Sequence, residues 1–186
     1  ELEKSGARIV CGDTKVVPRG KADRIFINTA GIGIARRGAR LPDAATQPGD
    51  AVLVSGPLGD HGAAVLSRRE GLDIDGALES DCAPVTPLAQ AVLGTAGRVS
   101  FLRDVTRGGI ATILNEAVAA DGPGIVLTEA DVPVRDEVRS ICELLGLDPL
   151  YLACEGRVAT VVDAESADAV LAALRDAPGG AEAALV

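Results

Sequence analysis

Asp13, Thr14 and Lys15 interrupt a run that is apolar on both sides, with Ile9-Val10-Cys11 before it and Val16-Val17 after it. In an extended strand side chains alternate, so Asp13 and Lys15 fall on one face and Thr14 on the other. At a strand end on the surface the two would make an ion pair contributing about 0–1 kcal/mol. At a ligand site the Asp13 carboxylate would supply an oxygen to Mg²⁺, and the Lys15 ammonium would meet a phosphate. The residue types leave both readings open.

Four further stretches carry candidate chemistry. In FLRDVTRGGIATILNE (101–116) a predicted strand delivers Asp104 to its end, and Thr106 is placed to cap the helix that follows. Gly108 and Gly109 let backbone approach a ligand there, and a helix N-terminus after a glycine turn favours anions. No nucleotide fingerprint is matched, and a tight turn with an Asp104–Arg107 pair explains the stretch equally. In GPLGDHG (56–62), Asp60 is placed as a helix cap, and His61, the single histidine, is either a base or structural. SDCAP (80–84) reads as a loop entering a helix. In LACEGR (152–157), Glu155 ends an apolar run just before Gly156, which sets an acid where a sheet turns. Cys154 has no histidine near it in sequence and is not read as a nucleophile.

The elements that must position these residues read as a mixed series. Strands are expected at ARIVCGD, KVV and DRIFINTAGIGIA, then AVLVSG, VSFLRDV, GIVLTEAD, LYLAC, RVATVVD and AEAALV. Helices are expected at DHGAAVLSRREG with a Gly71 stop, at PLAQAVLGTAG, and at TRGGIATILNEAVAADG with Ile110, Ile113, Leu114 and Ala117 on one face. Two more follow, at VRDEVRSICELLG and SADAVLAALRDA. The order lacks strict strand–helix–strand repetition, so a layered α/β (α+β) sandwich is expected rather than a doubly wound sheet.

Composition narrows the function. With 186 residues, 47% of them hydrophobic, and no Trp or Met, the core must be built from Val, Leu, Ile and Ala. A net charge of −9 disfavours binding to a phosphate backbone, and aromatics at 2% provide no platform for stacked bases. No apolar stretch approaches the roughly 20 residues of a membrane span. Cys11, Cys82, Cys142 and Cys154 show neither zinc-ligand spacing nor a disulfide framework, which points to a reducing, cytoplasmic setting. The opening ELEKSGAR is not an export signal, and a first residue other than Met implies a piece of a longer protein.

Taken in order, GDTKVVPRG, IFINTAGIG, PGDAVLVSGPLGDHG, ESDCAPVTPL, RDVTRGGIATILNE and LGLDPLYLACEGR resemble the HypE family of hydrogenase maturation factors. That family lies within the AIR synthase-related (PurM-like) ATP-binding superfamily. The resemblance implies a PurM C-terminal-like domain at 50–186, a connector at 36–49, and the last strands of the ATP-binding domain at 1–35. It implies ATP and Mg²⁺, and dehydration of a carbamoylated C-terminal cysteine to a thiocyanate. HypF would deliver the carbamoyl group, HypC and HypD would accept the cyanide, and the full-length protein would be a homodimer. By position, Asp13 would be the Mg²⁺ and ATP carboxylate and Thr14 would lie near the phosphates. Lys15 would be catalytic beside the reacting tail. Asp104, Thr106, Arg107, Gly108 and Gly109 would line the nucleotide cleft, and Glu155 would be the acid–base candidate. The family's Pro-Arg-x-Cys tail and further metal-binding acids are not in the sequence, so the piece by itself is expected to be inactive. Cys154 stands where the family usually has Asn. The alternatives are a phosphotransferase of the thiamine monophosphate kinase or selenophosphate synthetase type, and a non-catalytic docking domain.

Overall fold

Short runs of Val, Ala and Leu that are apolar on both alternating faces pack best as strands covered on both sides. The computed structural model, which describes residues 6–34, 46–72, 78–95, 97–118 and 122–186, forms such a sheet. Its strands are β1 (Ala51–Val54), β2 (Val99–Asp104), β3 (Val158–Val162) and β4 (Ala184–Leu185). They lie in the order β2-β3-β1-β4 with every pair antiparallel. Leu102 and Leu53 flank Thr160 across the two central ladders.

Alternation along β3 divides the core. Ala159 and Val161 pack with Val52 and Val54 against Ile110, Ile113 and Leu114 of α3 (Gly109–Glu116). Val158 and Val162 pack with Leu53 on the opposite face, against Leu88 and Val92 of α2 (Thr86–Gly94) and Val170 and Leu174 of α5 (Ala167–Asp176). Thr160 is the polar exception within this strand, and its buried hydroxyl is satisfied by donating to the Phe101 carbonyl at 2.7 Å. A third cluster joins α1 (Asp60–Glu70) to α4 (Asp136–Leu145) through Ala63, Val138, Ile141, Cys142 and Leu152. The expected layered sandwich of helices and sheet is what forms, its sheet antiparallel, and Gly71 ends α1 as expected.

Several expected elements differ. GIVLTEAD forms no strand: Ile125 and Leu127 turn toward the core, but among the described residues no backbone pairs with them, and Glu129–Asp131 closes a 3₁₀ turn. LYLAC is also not a strand. Pro149–Tyr151 is a 3₁₀ turn, and the backbone after it bonds to loops instead of to a ladder. Helix α3 starts at Gly109, later than Thr106, because Gly108 occupies the cap position and no side chain caps it. It ends at Glu116, short of the expected Gly122, with Ala117 as its C-cap; residues 119–121 lie outside the described residues.

The chain divides into two units, Glu1–Arg40 and Leu41–Val186. In the first, residues 6–34 carry no strand, and Ile9, Val10, Val16, Ile25, Phe26 and Ile27 are exposed. A β-strand exists only by pairing with another, and the described residues of this unit form no ladder. The expected connector lies outside the described residues from 36 to 45.

Leu53 is fully buried in β1, between the central strand and the edge. Leu53→Ala is expected to remove about 2–5 kcal/mol of stability, read as a lower urea midpoint at unchanged slope. An unmoved midpoint would place β1 outside the cooperative core.

Candidate functional site

Because β3 runs antiparallel to both β1 and β2, the segments after β1 and β2 and the one before β3 meet at one end of the sheet. They are joined there by main-chain bonds. The N–H of Val105 donates to the Arg157 carbonyl (2.9 Å), Cys154 N–H to the Val105 carbonyl (2.8 Å), and Gly62 N–H to the Ala153 carbonyl (2.9 Å). Residues 150–157 are thus held from two sides by the stretches beginning Gly56 and Asp104.

The approach is too close for side chains. A Cβ on Gly109 would sit 2.2 Å from the Leu150 carbonyl oxygen, and one on Gly156 would sit 1.9 Å from the Asp81 carbonyl oxygen. Real Cβ contacts do not reach such distances, so these glycines are required by backbone packing. The two glycines that the sequence marks for close approach to a ligand, Gly108 and Gly109, therefore differ: Gly109 is buried against residues 150–152, and Gly108 forms the helix cap.

On this frame the predicted side chains stand outward. Asp104, Arg107 and Glu155 are exposed and Thr106 is half-buried. The Asp104 carboxylate faces the Arg103 guanidinium at 3.7 Å, so the pairing with Arg107 expected from sequence is replaced by one with Arg103, which also bonds Glu116 at 2.7 Å. The structure brings Asp104 to Gly109 and Glu155 to this single sheet end, since Val105 bonds both Cys154 and Arg157. Asp13, Thr14 and Lys15 belong to the other unit, where all three are exposed and the Thr14 N–H donates to Asp13 Oδ1 at 2.8 Å.

Beneath the rim lies a set of charges of which the sequence assigns a role only to Asp60, as a helix cap. Asp60 does not cap α1; Gly59 takes that position, and Asp60 accepts from Arg135 Nε at 3.1 Å. Arg135 also bonds Glu182 at 2.9 Å. Arg157 donates to the carbonyls of Pro57 (3.2 Å) and Gly179 (2.9 Å) and faces Asp81 Oδ2 at 3.6 Å. Asp60, Glu79, Ser80, Asp81, Arg135 and Arg157 line a cavity of about 470 Å³. Asp60 Oδ1 and Asp81 Oδ2 are buried without a hydrogen-bond partner. Burial pushes the Asp60 carboxyl above its usual range despite Arg135. The one available signal for these residues was charge placed beside glycines and apolar runs, in GDHG, SDC and EGR.

Cys154 is fully buried, accepts the Gly59 N–H at 3.2 Å, and is pushed up to about 12 by burial. It is a thiol at neutral pH and cannot serve as a nucleophile. Brief iodoacetamide treatment of the native chain is expected to label the exposed Cys11 and Cys82 and spare Cys154 until unfolding. Labelling of native Cys154 at the rate of Cys82 would contradict this.

The raised Asp60 also fixes a sign. A folded state that holds its proton more tightly than the unfolded one loses stability as pH rises above 3.8. Compared with Asp60→Asn, the unaltered chain should therefore become relatively less stable between about pH 4 and neutrality, as followed by urea midpoints. A difference independent of pH would show that the buried carboxyl does not titrate abnormally.

Among the described residues, no group of three His, Cys, Asp or Glu side chains could hold a metal, and no helix is long and apolar enough to cross a membrane. Against known proteins, the chain is 49% identical to the carbamoyl dehydratase HypE of Cupriavidus necator over 97% of its own length and 51% of that protein's. A crystal structure of Escherichia coli HypE superposes with a TM-score of 0.94 at 49% identity, covering 99% of the chain and 57% of the other. A HypE structure in complex with ATP gives 0.92 at 44% identity (99% and 55% covered), and a HypE–HypF complex gives 0.93 at 43% (99% and 60%). The chain spans about half the length of the curated relatives it matches. The family model for the AIR synthase related protein C-terminal domain matches residues 47–186, the stretch that builds the sheet and its loops, and the chain belongs to that family.

Proposed function

We propose that the intact protein dehydrates a carbamoylated cysteine of its own C-terminal tail to a thiocyanate at the expense of ATP, providing cyanide for the iron of a [NiFe] hydrogenase. The observation that carries this reading is likeness along the whole chain, 49% identity with a TM-score of 0.94, to HypE. The chemistry suits the residues. The amide oxygen attacks the γ-phosphorus and ADP leaves; the O-phosphorylated intermediate then loses phosphate and both nitrogen protons, leaving a carbon–nitrogen triple bond. Phosphorylation converts a poor leaving group into a good one, and fixed positive charge stabilises the transferring phosphoryl group.

In this reading Lys15 provides that charge beside the reacting tail, and Thr14 lies near the phosphates. Asp104, Thr106, Arg107 and the backbone of Gly108 hold the nucleotide, while Gly109 seats that turn against residues 150–152. Glu155, exposed on a buried turn, takes a proton from the nitrogen. Magnesium fits as an ion shared with the nucleotide: Asp13 offers an exposed carboxylate, and Mg²⁺ is ordinarily held by one or two carboxylates with phosphate oxygens and water. When bound, it would neutralise charge on the phosphates. Residues 1–35 are then the end of the ATP-binding domain, 36–49 the connector, and 50–186 the PurM C-terminal-like domain. HypF as carbamoyl donor is supported by the solved HypE–HypF complex. HypC and HypD as cyanide acceptors, a homodimeric full-length protein and a cytoplasmic location complete the proposal.

Mass spectrometry of the full-length protein with carbamoyl donor and ATP should show loss of one water from the modified tail. Lys15→Ala and Asp13→Asn are each expected to slow that loss by about 10²-fold or more, with folding unaffected. Unchanged conversion in either variant refutes the role given to that residue, and no water loss in the unaltered protein refutes the function.

A further inference from the structure

Glu155 is exposed, yet the turn that carries it is gripped from one side by a loop that the reaction as described does not use. Asp81 lies in that loop with its side chain only 1% exposed. Its Oδ1 accepts the backbone N–H of Glu155 itself at 2.9 Å. Its Oδ2 faces Arg157 Nε, two residues further on, at 3.6 Å. Its own carbonyl oxygen lies so near Gly156 that a Cβ there would come within 1.9 Å. Asp81 therefore touches each of three consecutive residues, Glu155, Gly156 and Arg157. The loop is itself tied down: Ser80 Oγ pairs with His61 Nδ1 at 2.9 Å and accepts the Cys82 N–H at 3.2 Å. His61 stands in the first turn of α1, whose Gly62 N–H bonds Ala153. The GDHG and SDC stretches thus close a ring around the Glu155 turn.

We propose that Asp81 is a positioning residue for Glu155, fixing where the Glu155 carboxylate stands relative to the nitrogen it deprotonates. The inference rests on the role given to Glu155 above. A buried carboxylate is expensive to keep unless it is well used, and its strongest contact here is a charge-assisted bond to the main chain of the functional residue. A backbone anchor of this kind governs reach and angle rather than affinity, and a displacement of about 1 Å can cost about 10²-fold in rate. Arg157 secures the same turn from below through Pro57 and Gly179, so the loss of Asp81 loosens the turn without releasing the strand that follows.

The test uses the full-length protein, carbamoylated on its tail, with single-turnover conversion to thiocyanate followed by mass and ATP affinity measured separately. Asp81→Ala is expected to slow conversion about 10- to 100-fold while ATP affinity stays within about twofold. Asp81→Asn, which keeps an acceptor for the Glu155 N–H, should recover most of the rate. In a Glu155→Gln background, Asp81→Ala should add less than about threefold, because it acts through a group already removed. Full additivity of the two changes, or an Asp81→Asn protein as slow as Asp81→Ala, would overturn the proposal. If Asp81→Ala does not fold, Ser80→Ala unties the same loop at its exposed end. It should cost a few-fold that vanishes in Glu155→Gln, and a loss that persists there counts against the proposal. A Glu155→Gln protein of full rate would instead remove Glu155 from the chemistry, whereas a slow Glu155→Gln beside an unimpaired Asp81→Ala defeats the positioning role alone.

Discussion

Residues 150–157 are the constraint on which this site depends. After the 3₁₀ turn that ends at Tyr151 they are neither strand nor helix, and they lie among loops where unpaired main-chain groups would be costly. Their groups are satisfied from outside: Ala153 by Gly62, Cys154 by Val105 and Glu155 by Asp81. Each bond requires another backbone or short side chain to come within hydrogen-bonding distance, and Gly109 and Gly156 allow this at the two tightest points. The loops after β1 and β2, and the one carrying Asp81, have the shapes they do because they close around this segment. A side chain at either glycine would have to push two loops apart before β3 could begin.

Two aspartates, Asp50 half-buried and Asp60 buried, show how the same residue type reaches opposite states. Asp50, with its side chain 4% exposed, accepts from Arg98, from the Gln47 N–H and from Ser100, and Arg98 itself is hydrogen-bonded to Ser100. Burial acts to raise its proton affinity, but the donors together outweigh it, and the carboxyl is held below the usual range. Asp60, at 5%, has its hydrogen bond from Arg135 on one oxygen and none on the other, and there burial wins. Asp50 has more donors and lies less deep than Asp60, and both differences favour its charged form. Asp50 braces the starts of β1 and β2 and favours the charged, folded state above acidic pH. Asp60 sits at the sheet end where β1 and β2 finish and β3 begins, and there an incompletely satisfied carboxylate lowers stability as it ionises.

Legibility in the sequence followed the strength of local signals. Helices α1, α2, α4 and α5, and strands β1, β2 and β3, carry periodic apolar patterns bounded by Gly, Pro or charge, and all can be read directly. LYLAC and GIVLTEAD have strand composition but no strand partner, and partners are a property of the fold rather than of the segment. The same holds for the apolar runs within 6–34. At the site, Asp104, Gly109 and Glu155 stand out because charge and glycine at the ends of apolar runs are visible along the chain. Asp81 and Arg157 do not, since their meaning lies in contacts 74 and 100 residues away in sequence, with Glu155 and Pro57. Asp60 was legible only as a cap, the role its local position favours and its tertiary partner overrides.

Position 154 shows what this frame demands and what it leaves free. Its side chain is enclosed, and its hydrogen bond accepts the Gly59 N–H, a group that helix α1 cannot satisfy internally because it lies at the helix start. The demand is for a small acceptor. An Asn in its place would meet it with a carbonyl oxygen but would bring an NH₂ that needs partners of its own. Cysteine meets it with a weaker acceptor and no such requirement, and its sulfur packs in the same cluster as Val105 and Ile110. Because burial keeps the thiol protonated, the exchange adds no charge beneath Glu155. The frame therefore specifies the size and the acceptor of the side chain next to Glu155 rather than its chemical type.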